Sequence, residues 1–456
     1  MHKYRNQKFL SILLFLFSIQ LNNSLSPKFL PLHIEGKYLV DSEGNRHIIH
    51  GFAQTYSPWF NEKGSKWDNY NVEGCLQYNQ GLINDILNVG WKMKFIRIHM
   101  DPYWSNTPGK PVTGESDISA FDFERFKKYL DQVFVPMVEY AISKEIYVIM
   151  RPPGVCPEVI TVGDDYQKYL LKVWEYVSQH SYLKNNGYVM YELANEPVSI
   201  NHMDDESEFK ALRDFFQPIV DIIHQHTNNI VLIPGLGYES LFSGFTEYTF
   251  EGTNIGYAAH CYPGWFNSPV ENDESKGYKE FKEGFDKEIG MIAQTHPVII
   301  TEMDWAPQKY DSSWGKAITG VAGGKGFGAN FMRIAEESEV SWLLFTGAEL
   351  LAKYDDSLPN NDTFLTDPEA CPRPIYRKYL EYIRDESGDK NYCLKTFNLI
   401  ILLLIIFNSN STSFFLLLSF EYQITSFINV ISLAIFSSYF SKHMTSFSCF
   451  GISIIS

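Results

Sequence analysis

Val189-Met190-Tyr191-Glu192-Leu193-Ala194-Asn195-Glu196-Pro197-Val198-Ser199 decides how the chain is read. From Tyr188 to Leu193 the residues are apolar, aromatic or β-branched apart from Glu192, and they follow the turn residues Asn185-Asn186-Gly187. That pattern is a short buried strand. Asn195-Glu196-Pro197 closes it, because proline has no N–H for a sheet ladder and turns the residue before it away from the α region. Glu196 is therefore expected to be extended, at the carboxyl end of the strand, where parallel barrels keep their working residues. Alone, Asn-Glu-Pro is more often a charged strand end with a turn proline. The balance changes at Pro297-Val298-Ile299-Ile300-Thr301-Glu302-Met303-Asp304, where an apolar run leads straight into a second glutamate. Two carboxyl groups converging on one pocket are what glycosidic bond cleavage needs: one protonates the leaving oxygen and the other meets the oxocarbenium-like carbon.

Working outward, strands read as Arg46 to Phe52, Phe95 to Met100, Tyr147 to Met150, Tyr188 to Leu193, Ile230 to Ile233, Ile255 to His260, Val298 to Thr301 and Trp342 to Thr346. Helix-periodic stretches lie between them: Gly81 to Val89, Phe121 to Lys144, Tyr166 to His180, Glu206 to His226, Tyr278 to Gln294 and Ala329 to Glu337. Strands alternating with helices imply parallel pairing, so the fold class is α/β, a (β/α)8 TIM barrel. Gly36 to Asn45 adds a small N-terminal β-hairpin with a Gly44-Asn45 turn, a lid over one end. Gly324-Lys325-Gly326-Phe327-Gly328 lacks the Gly-Lys-Ser/Thr ending of a phosphate loop and reads as a flexible loop.

The chain of 456 residues is 45% hydrophobic, enough for one large core, and its net charge of −16 argues against nucleic acid and anionic membrane surfaces. A neutral polysaccharide or oligosaccharide fits better as partner. Residues 1–26 read as a signal peptide, with Lys3, Arg5 and Lys8 before apolar Phe9 to Leu21 and small Ser24 and Ser26 beyond, so secretion is expected. Asn361-Asp362-Thr363 is a glycosylation sequon that suits that route. The cysteines Cys75, Cys156, Cys261, Cys371, Cys393 and Cys449 include no Cys-x-x-Cys pair, so no zinc site is expected, and one or two structural disulfides stay open. Residues 27–386 form the expected catalytic domain, and 387–456 an apolar, low-charge tail. In that tail Ile424 to Phe440 is at the lower limit for crossing a bilayer of about 30 Å. A membrane anchor and translated sequence past the true end both stay open, and membrane contact is expected only through this tail.

Aromatic residues follow several strands: Tyr56 and Trp59, Tyr103 and Trp104, Tyr262 and Trp265, and Trp305. Flat faces suit pyranose rings, though any one of these can equally pack a loop onto the barrel. Glu192 reads as a buried structural carboxylate, and His99 either lines the site or is a satisfied strand-end histidine.

Together these features resemble glycoside hydrolase family 5, the cellulase and mannanase family among the retaining barrel glycosidases. The markers are Leu39-Val40-Asp41 with Gly44-Asn45, Phe95-Ile96-Arg97, Asn195-Glu196-Pro197, His260 with Tyr262, and Thr301-Glu302. Each is weak alone, and it is their order that is specific. The resemblance implies that Glu196 is the acid/base, Glu302 the nucleophile and Asn195 the residue on the sugar's 2-hydroxyl. Arg97, His260, Tyr262, Trp305 and Phe345 complete the expected substrate-binding set. Arg97 and Tyr262 are also the natural donors to keep Glu302 ionised. Two places depart from the family pattern. Met150-Arg151-Pro152-Pro153 stands where a histidine is usual, and Trp342 begins the last strand instead of ending it, leaving Phe345 or a loop aromatic as the floor for the sugar.

The reading is thus a secreted, monomeric, retaining β-glycosidase that needs no metal or organic cofactor and cuts an internal β-1,4 linkage. Other β-linked substrates, such as mannan or β-1,3-glucan, are the alternative within the family. A barrel that binds carbohydrate without turning it over is the alternative outside it.

Overall fold

The computed structural model describes residues 28–53, 70–88, 94–204, 206–268, 277–303 and 324–345. The chain divides into Met1–Ser387 and Gly388–Ser456, and every described residue belongs to the first unit. The signal peptide, Tyr56, Trp59, Trp305, the sequon, Cys371, Cys393, Cys449 and the tail lie outside the described residues.

Strands covered on both faces by helices or core are apolar throughout, and so the barrel strands read as runs and not as alternations. In chain order the strands are β1 (Leu32–Glu35), β2 (Tyr38–Asp41), β3 (Arg46–His47), β4 (His50–Ala53), β5 (Phe95–His99), β6 (Tyr147–Arg151), β7 (Val159–Ile160), β8 (Val189–Glu192), β9 (Ser199–Ile200), β10 (Val231–Pro234), β11 (Ile255–Cys261), β12 (Val298–Met303) and β13 (Ser341–Leu344). Strands β4, β5, β6, β8, β10, β11, β12 and β13 close a barrel in that order, each parallel to its neighbours. All eight strands read from sequence are present, in the predicted order.

Alternation along each strand divides the core in two. Phe95, Tyr147, Ile149, Met190, Leu232, Ala258, Ile299 and Leu343 of the barrel strands form one cluster with Ile49 and with Leu32 and Leu39 of β1 and β2. Their neighbours Ile96, Val148, Ile233, Ile300, Trp342 and Leu344 join the helix side chains outside it. The predicted N-terminal hairpin is a three-stranded antiparallel sheet, β1-β2-β3. Arg46 and His47 belong to it, pairing with β2 instead of starting the first barrel strand. Leu32 N–H on Gly187 O, Tyr147 Oη on Leu30 O and Ile34 N–H on Asn254 Oδ1 tie this sheet to the amino ends of the barrel strands. It closes the end opposite the glutamates.

Helices run Val72–Asn88, Asp165–Gln179, Glu208–His224 and Gly324–Ser338, among others. Asp164 and Ser207 set two of the starts by accepting backbone N–H groups of the first turn. The predicted helix from Phe121 to Lys144 contains one wide turn, Leu130–Phe134, with Val135 N–H reaching Leu130 O just ahead of Pro136, which has no N–H to give. The glycine-rich run read as a flexible loop lies in the helix Gly324–Ser338. Phe327 stacks on Phe281 at 5.6 Å and Phe331 meets Trp342 at 5.9 Å, so aromatic burial overrides the weak local propensity. Trp342 therefore faces the helices and is not a sugar platform. Among the described residues, Cys75, Cys156 and Cys261 are buried free thiols, and no helix is long and apolar enough to cross a membrane.

Close strand packing makes one prediction about stability. A Cβ on Gly51 in β4 would lie 2.0 Å from the carbonyl oxygen of Phe95 in β5, which is backbone and cannot swing away. Gly51→Ala should lower the unfolding free energy by at least about 2 kcal/mol, read from urea midpoints at constant m. A change below about 0.5 kcal/mol would show that β4 and β5 are not paired this way.

Candidate active site

Inward alternation along β5 puts Arg97 between Phe95 and the strand end, 2% exposed. Arg97 Nε and Nη2 donate to the two oxygens of Glu192 at 2.6 and 2.7 Å, Nη2 also reaches Asn195 Oδ1 at 2.6 Å, and Nη1 donates to Glu302 Oε1. One planar guanidinium thereby locks β5, β8, the strand-end Asn195 and β12 together. Burial opposes its charge, but Glu192 and Glu302 outweigh burial and raise its pKa. Glu192 is the buried structural carboxylate expected from sequence. Arg97→Met should cost about 3–5 kcal/mol in equilibrium unfolding, since it strands Glu192 in the barrel without its counter-charge. A loss under about 1 kcal/mol would contradict that arrangement.

Strict alternation would send Glu302 outward with Ile300. A bulge prevents this: Ala259 pairs with Ile300, and the next residue, His260, pairs with Glu302, leaving Thr301 as the extra residue. Thr301 and Glu302 both reach the interior as a result. Thr301 Oγ1 donates to Glu192 Oε1 at 3.4 Å, and Tyr262 Oη donates to Glu302 Oε2 at 2.5 Å. Burial pushes the Glu302 pKa up, but His260, Arg97, the Tyr262 hydroxyl and Arg151 together hold it below the ordinary carboxylate value. Glu302 is kept ionised.

Glu196 sits differently. Its φ is +56°, so it is left-handed and not extended as the following proline suggests. For a non-glycine residue that costs on the order of 1–3 kcal/mol and persists only where neighbours fix it. They do: the Glu196 N–H donates to Glu239 Oε1 at 2.8 Å, and Cys156 N–H holds Asn195 O at 2.8 Å. The Glu196 side chain is 20% exposed against 5% for Glu302. His260 Nδ1 lies 3.2 Å from Glu196 Oε1 and 3.7 Å from Glu302 Oε2. A carboxylate oxygen of Glu196 and one of Glu302 are within 4.8 Å of each other. That spacing suits a nucleophile and an acid/base on the two sides of one anomeric carbon.

The other residues predicted to bind substrate fall into separate groups. Arg97, His260 and Tyr262 are fully or almost fully buried, and each places a polar atom on one of the two glutamates. Asn195 gives its oxygen to Arg97, which turns its amide nitrogen elsewhere. Phe345 is 6% exposed, its N–H bonded to Met303 O beside Glu302. Trp305 lies outside the described residues. Tyr103 and Trp104 are core: Trp104 packs edge-on against Tyr129 at 4.8 Å. Arg151, where the family pattern has histidine, is buried with Nη1 on Gly154 O and adds positive potential at Glu302. His99 is buried, its pKa driven well down by burial and by Arg151 and Arg97, with Glu115 3.8 Å away.

Two residues escape the sequence reading. Glu239 and Tyr238 follow β10 in a turn that carries no motif, announced only by Gly235-Leu236-Gly237. Tyr238, 46% exposed, lines a cleft of about 710 Å³ with Leu241, Trp265 and Phe266. Glu192, Glu239 and His260, and also Glu196, His260 and Glu302, approach metal-ligand spacing. The positive charge those carboxylates need already comes from Arg97 and from His260. Burial works against a charged His260, but Glu239, Glu302 and Glu196 lift its pKa to about 9.

The family described as Cellulase (glycosyl hydrolase family 5) matches residues 59–346, well over half of the chain. An endoglucanase from Bacillus sp. strain KSM-635 is 24% identical over 136 residues, which cover 28% of this chain and 14% of that protein. Among solved structures, a β-glucanase from Saccharophagus degradans superposes with a TM-score of 0.54 at 18% identity, covering 80% of this chain and 96% of that one. A protein from Cytophaga hutchinsonii follows at 0.50 and 15% identity, covering 78% and 95%. The family match and the glutamate-bearing barrel lead to one conclusion: the chain belongs to glycoside hydrolase family 5.

Proposed function

We propose that the chain is a secreted endo-β-1,4-glucanase in which Glu302 is the nucleophile and Glu196 the acid/base. The observation that carries this is the pair of glutamate oxygens within 4.8 Å of each other in unequal surroundings. Glu302 is buried and held ionised by Arg97 and Tyr262, while Glu196 is partly open to solvent beside an imidazole. As a family 5 glycoside hydrolase the enzyme works by double displacement with retention of configuration. Glu302 attacks the anomeric carbon as the bond to the leaving oxygen breaks, and Glu196 gives that oxygen its proton. Glycosyl-enzyme formation removes the charge of Glu302. Water then attacks the same carbon, Glu196 takes its proton, and Glu302 is released.

Support for the substrate is of two kinds. The relative from Bacillus is named an endoglucanase, and the β-glucanase from Saccharophagus degradans has been solved with cellotetraose. In this chain Tyr238 and Trp265 line a cleft, and the Tyr238 N–H bonds Pro197 O in the segment after Glu196. The aromatic faces of the cleft suit pyranose rings. Secretion rests on the signal-like residues 1–26. The test is reducing-end release from soluble β-1,4-glucan, mixed-linkage β-glucan, β-1,3-glucan and mannan. Cleavage of the β-1,4-glucan is expected to be fastest. Preference for mannan would replace the substrate but keep the mechanism, and binding without cleavage of any would remove both.

A further inference from the structure

Glu239 is a carboxyl group with no part in the two displacement steps, yet it is fully buried between Glu196 and His260. Its turn is unusual: Gly237, Tyr238 and Glu239 are all left-handed, with φ of 57°, 60° and 62°. Two of the three are not glycine, and such backbone persists only where it is held. Here Gly237 N–H bonds Val198 O and Tyr238 N–H bonds Pro197 O, each at 3.0 Å, so the turn is stitched to the segment directly after Glu196.

The side chain divides its two oxygens. Oε1 accepts the Glu196 N–H, and Oε2 lies 3.5 Å from His260 Nε2. Oε2 and Nε2 are both buried and neither has a hydrogen-bond partner, so at 3.5 Å they face each other as an ion-pair contact and not as a formed hydrogen bond. Oε1 is taken, so any proton on Glu239 sits on Oε2 and faces Nε2. Two hydrogens cannot share that gap, so the pair holds one between them. With that hydrogen on Glu239 the neutral imidazole carries its own on Nδ1, and with it on Nε2 an imidazolium, which Glu239, Glu302 and Glu196 favour against burial, also keeps one there; in both states Nδ1–H points at Glu196 Oε1, 3.2 Å away. The charged groups around this pair are Glu192 and Arg97 on the Glu239 side, and Glu196 and Glu302 on the His260 side. Burial and the nearby Glu192 raise the Glu239 pKa to about 8 against the pull of His260 and Arg97, which suits a carboxyl that shares a proton in the barrel.

We propose that Glu239 is a positioning residue for the acid/base step: it fixes His260 as an Nδ1–H donor to Glu196 and pins the backbone of Glu196 in its left-handed conformation. This rests on the acid/base role given to Glu196 above. With Oε1 of Glu196 receiving the imidazole hydrogen, the proton to be donated stays on Oε2. Without Glu239, His260 is free to present a bare Nδ1, which draws that proton away from the leaving oxygen.

The test compares Glu239→Leu and Glu239→Gln with the wild type on two aryl β-cellobiosides. Phenyl β-cellobioside needs its leaving oxygen protonated, whereas the 2,4-dinitrophenyl glycoside does not, and kcat/KM reports the first step for both. Glu239→Leu should lower kcat/KM on the phenyl glycoside about a hundredfold and on the dinitrophenyl glycoside less than about fivefold. Glu239→Gln keeps an acceptor for the N–H and a donor for Nε2, so it should stay within about fivefold on both. Equal losses on the two glycosides mean a structural role only and overturn the proposal. Nitrogen-15 NMR of the wild-type histidines gives a second readout that needs no variant to fold: His260 must carry hydrogen on Nδ1, and an Nε2–H neutral form with bare Nδ1 also overturns it. If the wild type turns over neither glycoside and Glu196→Ala changes nothing on the polysaccharides, the catalytic reading beneath has failed, and the proposal goes with it.

Discussion

Glu302→Gln is expected to lower kcat on the preferred polysaccharide by at least about a thousandfold while KM changes little. Gln is isosteric with Glu: its amide oxygen can still accept from Arg97 Nη1, and its amide nitrogen can donate to the Tyr262 hydroxyl oxygen, which turns from donor to acceptor. What disappears is the charge that attacks the anomeric carbon, an interaction that exists only on the way to the glycosyl-enzyme. Removing it also relieves Arg97 of one of its two carboxylates, and Glu192 still neutralises the guanidinium at 2.6 and 2.7 Å. The variant should therefore fold and bind, with an unfolding midpoint near that of the wild type. Activity within tenfold of the wild type would mean that another group is the nucleophile.

Glu196→Ala carries the second large effect. On polysaccharide, kcat/KM should fall by about 10²–10⁴, the usual contribution of a positioned general acid. A glycoside whose leaving group needs no proton should keep most of its first-step rate and then stall, because no base remains to activate water. Azide needs no base, and the partly exposed pocket of Glu196 gives it room. Added azide should therefore accelerate turnover and yield a β-glycosyl azide. An azide response from Glu302→Gln, or none from Glu196→Ala, would reverse or remove the two assignments.

The barrel is readable from sequence because parallel strands covered on both faces must be apolar throughout, and eight such runs separated by helical periodicity match the eight units of a (β/α)8 barrel. The glutamates are readable because Asn195-Glu196-Pro197 and Thr301-Glu302 end two of those strands. What escapes depends on geometry that local pattern does not encode. The bulge at Thr301 inserts a single residue and turns Glu302 inward, and nothing in Val298-Ile299-Ile300-Thr301 signals it. The left-handed φ of Glu196 runs against its proline, because contacts from Glu239, 43 residues away, fix it instead. Trp342 lies on the face of β13 that packs on Phe331, and only the register decides which face that is. Glu239 sits in a turn with no motif, and its partners come from β11 and the segment after β8.

The most direct test of the central assignment is chemical trapping. Incubation of the enzyme with 2,4-dinitrophenyl 2-deoxy-2-fluoro-β-cellobioside, followed by proteolysis and mass spectrometry, locates the carboxylate that forms the covalent sugar ester. The roles derived above place the fluorocellobiosyl group on the peptide containing Glu302, with inactivation at one label per chain. A label on Glu196, Glu239 or any other carboxylate would contradict them.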